Sequence, residues 1–188
     1  MVFNHPSLTK IPTLKFYKII MKRTNYIKTT SITFIAILLS FVSFAQPASP
    51  PATATGEIKG ATITINYSSP GVKGRVIWGE LVPYDKLWRA GANAATNIET
   101  SKDLQFEGKK LPAGKYSIFA VPGKSEWTMV FNTVHDASTG KYDQSKDALR
   151  VVVKPKKSDK MEERLVYKVE KNAISLNWEN LSVPVKVK

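Results

Sequence analysis

Period-two alternation of apolar and polar residues constrains this chain more than any other feature. Ile63, Ile65 and Tyr67 alternate with Thr62, Thr64 and Asn66, the pattern of a strand with one face buried and the other wet. The alternation returns at residues 116–121 and in Trp127-Met129-Phe131, Leu149-Val151-Val153 and Leu165-Tyr167-Val169. It continues through Ile174-Leu176-Trp178 and Val183-Val185-Val187. Shorter stretches at 75–78, 96–100 and 104–106 fit the same template. Between the runs stand residues that favour turns: Glu107-Gly108-Lys109, Pro112-Ala113-Gly114, Pro122-Gly123-Lys124 and Lys171-Asn172. No window keeps a helical period for three turns; the nearest, 82–95, is interrupted by Pro83 and Gly91. The expectation is an all-β fold, a single antiparallel β-sandwich of Greek-key or jelly-roll type.

This sandwich is expected to follow an N-terminal signal peptide at 21–45. Lys22, Arg23 and Lys28 form a positive n-region, and 32–44 is an almost unbroken apolar run. Ser43-Phe44-Ala45 then sets small residues at the −3 and −1 positions of a cleavage site after Ala45. The run is 13 residues long, short of the roughly 20 that cross a bilayer as a helix, so no permanent membrane span is expected. Residues 1–20, interrupted by Pro6 and Pro12, read as an over-extended N-terminus ahead of a start at Met21. Residues 46–56, with Pro47, Pro50 and Pro51 among Ala and Thr, read as a flexible leader, and 57–188 as the domain. The expected location is the periplasm or the extracellular space.

Cleavage leaves 143 residues, enough for one domain with a core. The formal net charge falls from +13 to +7, because six of the 28 basic residues and none of the 15 acids precede residue 46. The remaining lysines are scattered, and Lys154, Lys156, Lys157 and Lys160 lead directly into Glu162 and Glu163. That spacing suits charged strand edges that resist pairing. It lacks the clustered footprint of a nucleic-acid partner. There is no cysteine, which removes disulfides, thiol nucleophiles and thiolate zinc sites together.

Two connections, 79–95 and 133–148, exceed the about 12–15 residues usual for structureless loops, and long ordered loops tend to carry function. The second is polar and plain, with Tyr142-Asp143 and Lys146-Asp147 as ordinary loop chemistry. The first, together with 67–75, is chemically dense. Tyr67, Arg75, Trp78, Tyr84, Trp88, Arg89, Asn93 and Thr96 are its ligand-binding candidates. Aromatic faces beside Arg and Asn donors suit a ligand with an apolar face and polar edges, such as a sugar or an aromatic acid. Arg can also clamp a carboxylate or phosphate through two parallel hydrogen bonds. Gly91 and the small residues Ala90, Ala92, Ala94 and Ala95 would let backbone approach such a ligand. The same residues also support an architectural reading. In it Trp88 plugs one end of the sandwich, Arg89 pairs with Glu80 or Asp85, and Asn93 bonds loop backbone.

Five motifs occur here in one order: Pro70 to Arg75; Leu81-Val82-Pro83-Tyr84; Trp88-Arg89-x-Gly91-Ala92-Asn93-x-Ala95-Thr96; Leu111-Pro112-Ala113-Gly114-x-Tyr116; and Pro122-Gly123-x-x-x-Trp127. This set resembles the bacterial family catalogued as "domain of unknown function 2911", across nearly all of the chain after residue 45. The resemblance implies an exported, β-rich domain of Gram-negative envelopes, with no established activity or cofactor.

Parts for an enzyme are few. His135 is the sole histidine after residue 45 and sits among polar loop residues, where a solvated role is expected. Asp136, Asp143 and Asp147 match no calcium-loop spacing, so no metal and no cofactor are expected. Glu80 and Asp85 remain as a carboxylate pair near the aromatic residues. The leading reading is an exported, non-enzymatic domain that binds a small molecule, glycan or cell-wall fragment. The alternatives are a glycan-acting hydrolase and a module that docks an envelope protein partner.

Overall fold

The computed structural model describes residues 48–188; the signal segment and the N-terminal extension read above lie outside the described residues. Ten strands follow in order: β1 (Pro51–Ile58), β2 (Ala61–Ser68), β3 (Asn97–Thr100), β4 (Leu104–Phe106) and β5 (Lys109–Leu111). Then come β6 (Gly114–Pro122), β7 (Trp127–Asn132), β8 (Asp147–Val153), β9 (Lys156–Glu170) and β10 (Ala173–Lys186). All strand pairings are antiparallel. Among the described residues there is no α-helix, only short 3-10 turns at Thr139–Lys141 and Gln144–Lys146. The fold is all-β, as the alternation requires.

One layer is a six-stranded sheet ordered β1-β2-β3-β6-β7-β8. Its order is up-and-down, held locally by tight hairpins. Between β1 and β2, Lys59 (φ 52°) and Gly60 (φ 71°) both take the left-handed conformation, the two-residue turn whose twist matches flanking strands. Glu107 (φ 48°) and Gly108 (φ 80°) repeat it between β4 and β5. The β9–β10 hairpin anchors the second layer. Residues 70–72 extend it on one side, where Val72 N–H donates to the Glu163 carbonyl at 2.7 Å and Leu165 N–H to Pro70 at 2.9 Å. On the other side the end of the chain meets β4, through Gln105 N–H to Lys188 at 2.8 Å and the reciprocal bond at 2.9 Å.

The inward faces share one core. Ile63 and Ile65 of β2, Ile118 of β6, Trp127 and Phe131 of β7, and Val151 of β8 meet Leu165, Tyr167, Leu176 and Trp178 from the other layer. What the sequence presented as two strands, at 174–178 and 183–187, is one strand with a bulge. The β9–β10 register slips between Asn177 and Glu179 and again before Leu181, and Glu179 has φ 54°. The slips leave the extra residues on β9, while the left-handed Glu179 breaks the regular pleat of β10, and a break in a period-two element can change which parity points inward. Trp178 is accordingly the last even-numbered core residue, and Val183, Val185 and Val187 continue on odd numbers.

Two sequence expectations are corrected. Residues 51–56, read as part of a flexible leader, form most of β1. The strand is concealed because its half-buried positions are Ala52, Ala54 and Gly56, too small to register as a hydrophobic stripe. Small residues are needed there, since a Cβ on Gly56 would lie 2.8 Å from Val169 Cγ1 of β9. Pro51 is tolerated as the first residue of an edge strand. The candidate strand at 75–78 is instead a tight turn, in which Val82 N–H bonds the Ile77 carbonyl at 2.9 Å and Gly79 N–H bonds Val82 at 2.9 Å. Gly74 (φ 67°) and Gly79 (φ 92°) fold it back.

The long loops pack on the sheet and order it further. β3 pairs with only the first part of β6, from Gly114 to Ser117. The 79–95 loop takes over along the rest, with reciprocal 2.8 Å bonds between Trp88 and Ala120 and a 2.8 Å bond from Asp85 N–H to Pro122. On the outer face, Phe119 and Val130 form a second small apolar cluster with Ala137, Leu87 and Tyr142. Both long loops therefore supply side chains to that cover.

Candidate functional site

All four tryptophans of the chain gather at one end of the core. Trp78 meets Trp127, Trp178 and Trp88 edge-to-face, with centroids 4.9, 5.7 and 6.1 Å apart. Trp88 stacks on Trp178 at 6.0 Å with an 18° interplanar angle. Trp127 and Trp178 are buried, while Trp78 and Trp88 are half-buried and pack against them. The indole N–H groups of Trp78 and Trp178 are buried without a hydrogen-bond acceptor among the described residues. The two rings pack edge-to-face against each other, with centroids 5.7 Å apart.

The dense loop is held by its own polar groups. Arg75 Nε donates to the Val72 carbonyl at 3.1 Å and Nη2 to the Gly71 carbonyl at 2.5 Å. Arg89 Nη1 donates to the Asn93 carbonyl, not to Glu80 or Asp85, and Asn93 Nδ2 donates to Ser49 at 3.2 Å. Ala90 and Asn93 both have positive φ, 51° and 53°. The Ala90 carbonyl accepts from Thr96 Oγ1 at 3.2 Å and from Tyr167 Oη at 2.9 Å. Gly91 fits closely here: a Cβ on it would fall 2.5 Å from Thr96 Oγ1. Burial, then the nearness of Tyr67, pushes the Tyr167 phenol far up from its ordinary value. A phenol raised above its ordinary value is protonated at neutral pH, so its hydroxyl can donate there.

Between this loop and the tryptophans lies a cavity of about 190 Å³. Arg75, Leu81, Trp88, Gly91 and Trp178 line it, and Ser49, Pro70, Val82 and Ala92 complete the wall. Of the eight sequence candidates, Arg75 and Trp88 reach this lining. Trp78 supports Trp88 from within the ring cluster. Tyr67 packs edge-on against Tyr167 at 5.0 Å, and Thr96 is buried at the Ala90 carbonyl. Tyr84 lies under Gly79, 3.0 Å from where a Cβ would stand. Arg89 and Asn93 serve the loop and its contact with Ser49. Sequence reasoning missed Trp178 as a wall residue, because its alternation with Ile174 and Leu176 marks only a core position.

The second long loop is less plain than its composition. Asp147 accepts from Tyr142 Oη at 2.6 Å, from Arg150 Nη1 at 2.8 Å and from Asn132 Nδ2 at 2.8 Å. Burial, and then the bond to Asp147, pushes the Tyr142 phenol up to about 12. This network satisfies the buried Asn132 and closes the loop onto the sheet. The side chains expected to matter to an enzyme stand apart. Glu80, Asp85 and His135 are exposed, and the cavity lining contains no carboxylate. No group of three or more His, Asp or Glu side chains gathers as a metal site among the described residues. No helix among them is long and apolar enough to cross a membrane.

Fold and site define a two-layered antiparallel β-domain with a small, tryptophan-walled cavity under a hydrogen-bonded loop. The family described as "Protein of unknown function (DUF2911)" matches residues 49–187, and the chain belongs to that family. No curated protein and no solved structure matches it.

Proposed function

We propose that this protein is an exported envelope protein whose β-domain binds a small molecule, without chemistry of its own, in the cavity beside Arg75 and Trp88. The observation that carries the reading is the meeting of one arginine with a stacked indole pair at a concave, largely apolar surface. Export is supported by the n-region, apolar run and small-residue cleavage site at 21–45. The loop's own hydrogen bonds hold the cavity in shape before any ligand arrives, which lowers the ordering cost of binding.

The hydrolase reading has less support, because Glu80 and Asp85 are exposed and neither lines the cavity. The docking reading retains one observation: Val76 and Leu81 are 56% and 44% exposed, and Leu81 lines the cavity. A saturation-transfer NMR screen of a mixed fragment library against wild type and Ala92→Phe tests the binding reading. Fragments should bind wild type and be displaced by the added ring. No binding to wild type, or equal binding to both, would refute the proposal.

A further inference from the structure

We infer that the cavity selects a small monocarboxylate with a planar apolar body, an inference that rests on the binding reading above. Arg75 is the sole charged residue in the lining, and no carboxylate opposes it. Its guanidinium is already oriented by the Val72 and Gly71 carbonyls through Nε and Nη2, at 3.1 and 2.5 Å. Nη1 has no acceptor among the described residues and Arg75 is exposed at the cavity edge, so that end of a pre-set cation is open to an anion. Guanidinium groups fixed in this way favour planar anions, because little rotamer freedom remains to be lost.

The remaining lining chooses between the two ligand types that the residue composition suggested. A sugar carries many hydroxyl donors, and each needs an acceptor once buried. The side chains here offer one hydroxyl, from Ser49, and no carboxylate or amide. A carboxylate brings no donor, so nothing of its own is left unsatisfied. Recognition built on such pairing discriminates strongly against a ligand with the wrong polar groups. The volume, about 190 Å³, lies below the roughly 300–1,000 Å³ of pockets for drug-sized ligands. A fragment-sized ligand fits that space better than an oligosaccharide. Trp88, half-buried and stacked on the buried Trp178, gives the lining aromatic surface that suits a planar ring.

The test is titration of the purified protein with benzoate, benzyl alcohol and glucose, followed by ligand-observed NMR. Wild type should bind benzoate at least tenfold more tightly than benzyl alcohol, and glucose not at all. In Arg75→Gln the benzoate-to-benzyl-alcohol preference should collapse to about one, and Arg75→Lys should recover part of it. Equal affinity of wild type for the acid and the alcohol overturns the inference, as does an undiminished preference in Arg75→Gln. If Arg75→Gln binds neither probe, Arg75→Lys decides: a retained preference for the acid supports the inference, and its loss overturns it. Glucose binding without benzoate binding would reject the ligand class and leave the cavity's binding role standing. Silence from all three probes, together with a blank fragment screen, would reject both.

Discussion

The phenol of Tyr167, in β9, donates a 2.9 Å hydrogen bond to the carbonyl of Ala90, 77 positions earlier in the chain. Ala90 is a non-glycine residue with φ 51°, a conformation that costs an L-residue about 1–2 kcal/mol. The opposite layer of the domain thus reaches across the core to hold a strained loop residue. Thr96 Oγ1 donates to the same carbonyl from the loop's own end.

Removing the phenol is the most direct test of that link. Tyr167→Phe should lower unfolding free energy by about 1–2 kcal/mol, because a buried carbonyl loses its better-placed donor. The denaturant midpoint should fall while the slope stays unchanged. A stability equal to wild type would show that the bond contributes nothing.

Gly91 and Thr96 should behave as a coupled pair. Gly91→Ala sets a Cβ at 2.5 Å from Thr96 Oγ1 and 3.4 Å from the Ser68 carbonyl, and is expected to cost about 1–3 kcal/mol by overpacking. Thr96→Ala alone should cost about 1 kcal/mol, since the Ala90 carbonyl keeps Tyr167. The double variant should be less destabilised than the sum, because the second change removes the atom that the first one strikes. Strict additivity in the cycle would contradict the geometry.

Gly56→Ala tests the docking of β1 on β9. The new methyl would meet Val169 Cγ1 and Cβ at 2.8 and 2.9 Å, and Val169 is β-branched and cannot easily turn aside. A loss of about 1–3 kcal/mol is expected, with faster amide exchange along β1. Were residues 51–56 a loose leader, the substitution would be silent in both measurements.

Alkaline stability should depend on Tyr142. Burial and the bond to Asp147 raise its folded pKa to about 12, above the unfolded value of about 10. Between those values the folded state holds more protons than the unfolded state, so stability falls as pH rises through the window. Below about pH 10 the contribution is fully present. Unfolding midpoints measured across a pH series should decline less steeply for Tyr142→Phe than for wild type, and matching slopes would exclude the mechanism.

Within the indole cluster, burial should rank the cost of truncation. Trp127 is 1% exposed, and Trp127→Ala should cost about 3–5 kcal/mol. Half-buried Trp88 should cost less on replacement by alanine. Thermal unfolding of the two variants side by side checks the order, and the reverse ranking would count against the packing described.

Much of the fold was legible because strand alternation is local. Ile63 and Ile65, Met129 and Phe131, and Leu165 and Tyr167 all face the core as their spacing requires. The Glu107-Gly108 turn was equally readable from its residues. β1 was not, since its half-buried positions are the small residues Ala52, Ala54 and Gly56, with no apolar stripe to read, and only Gly56 is set by its fit against Val169. The site was legible in its parts but not in its assembly. Arg75 and Trp88 were singled out and share the cavity, whereas Arg89 and Asn93, equally prominent in sequence, are occupied by loop backbone.

By itself the sequence determined that this chain forms antiparallel strands, which residues on most of them turn inward, and where several of the tight reversals fall. Those are consequences of backbone pleat and turn sterics acting over a few residues. Tertiary structure alone decided that Trp178 would stack on Trp88, that Tyr167 would pin Ala90, and that Arg75 would stand over a cavity. Hydrophobic burial has no direction: alternation marks the face to be buried, and only the packing of the two layers selects what lies against it.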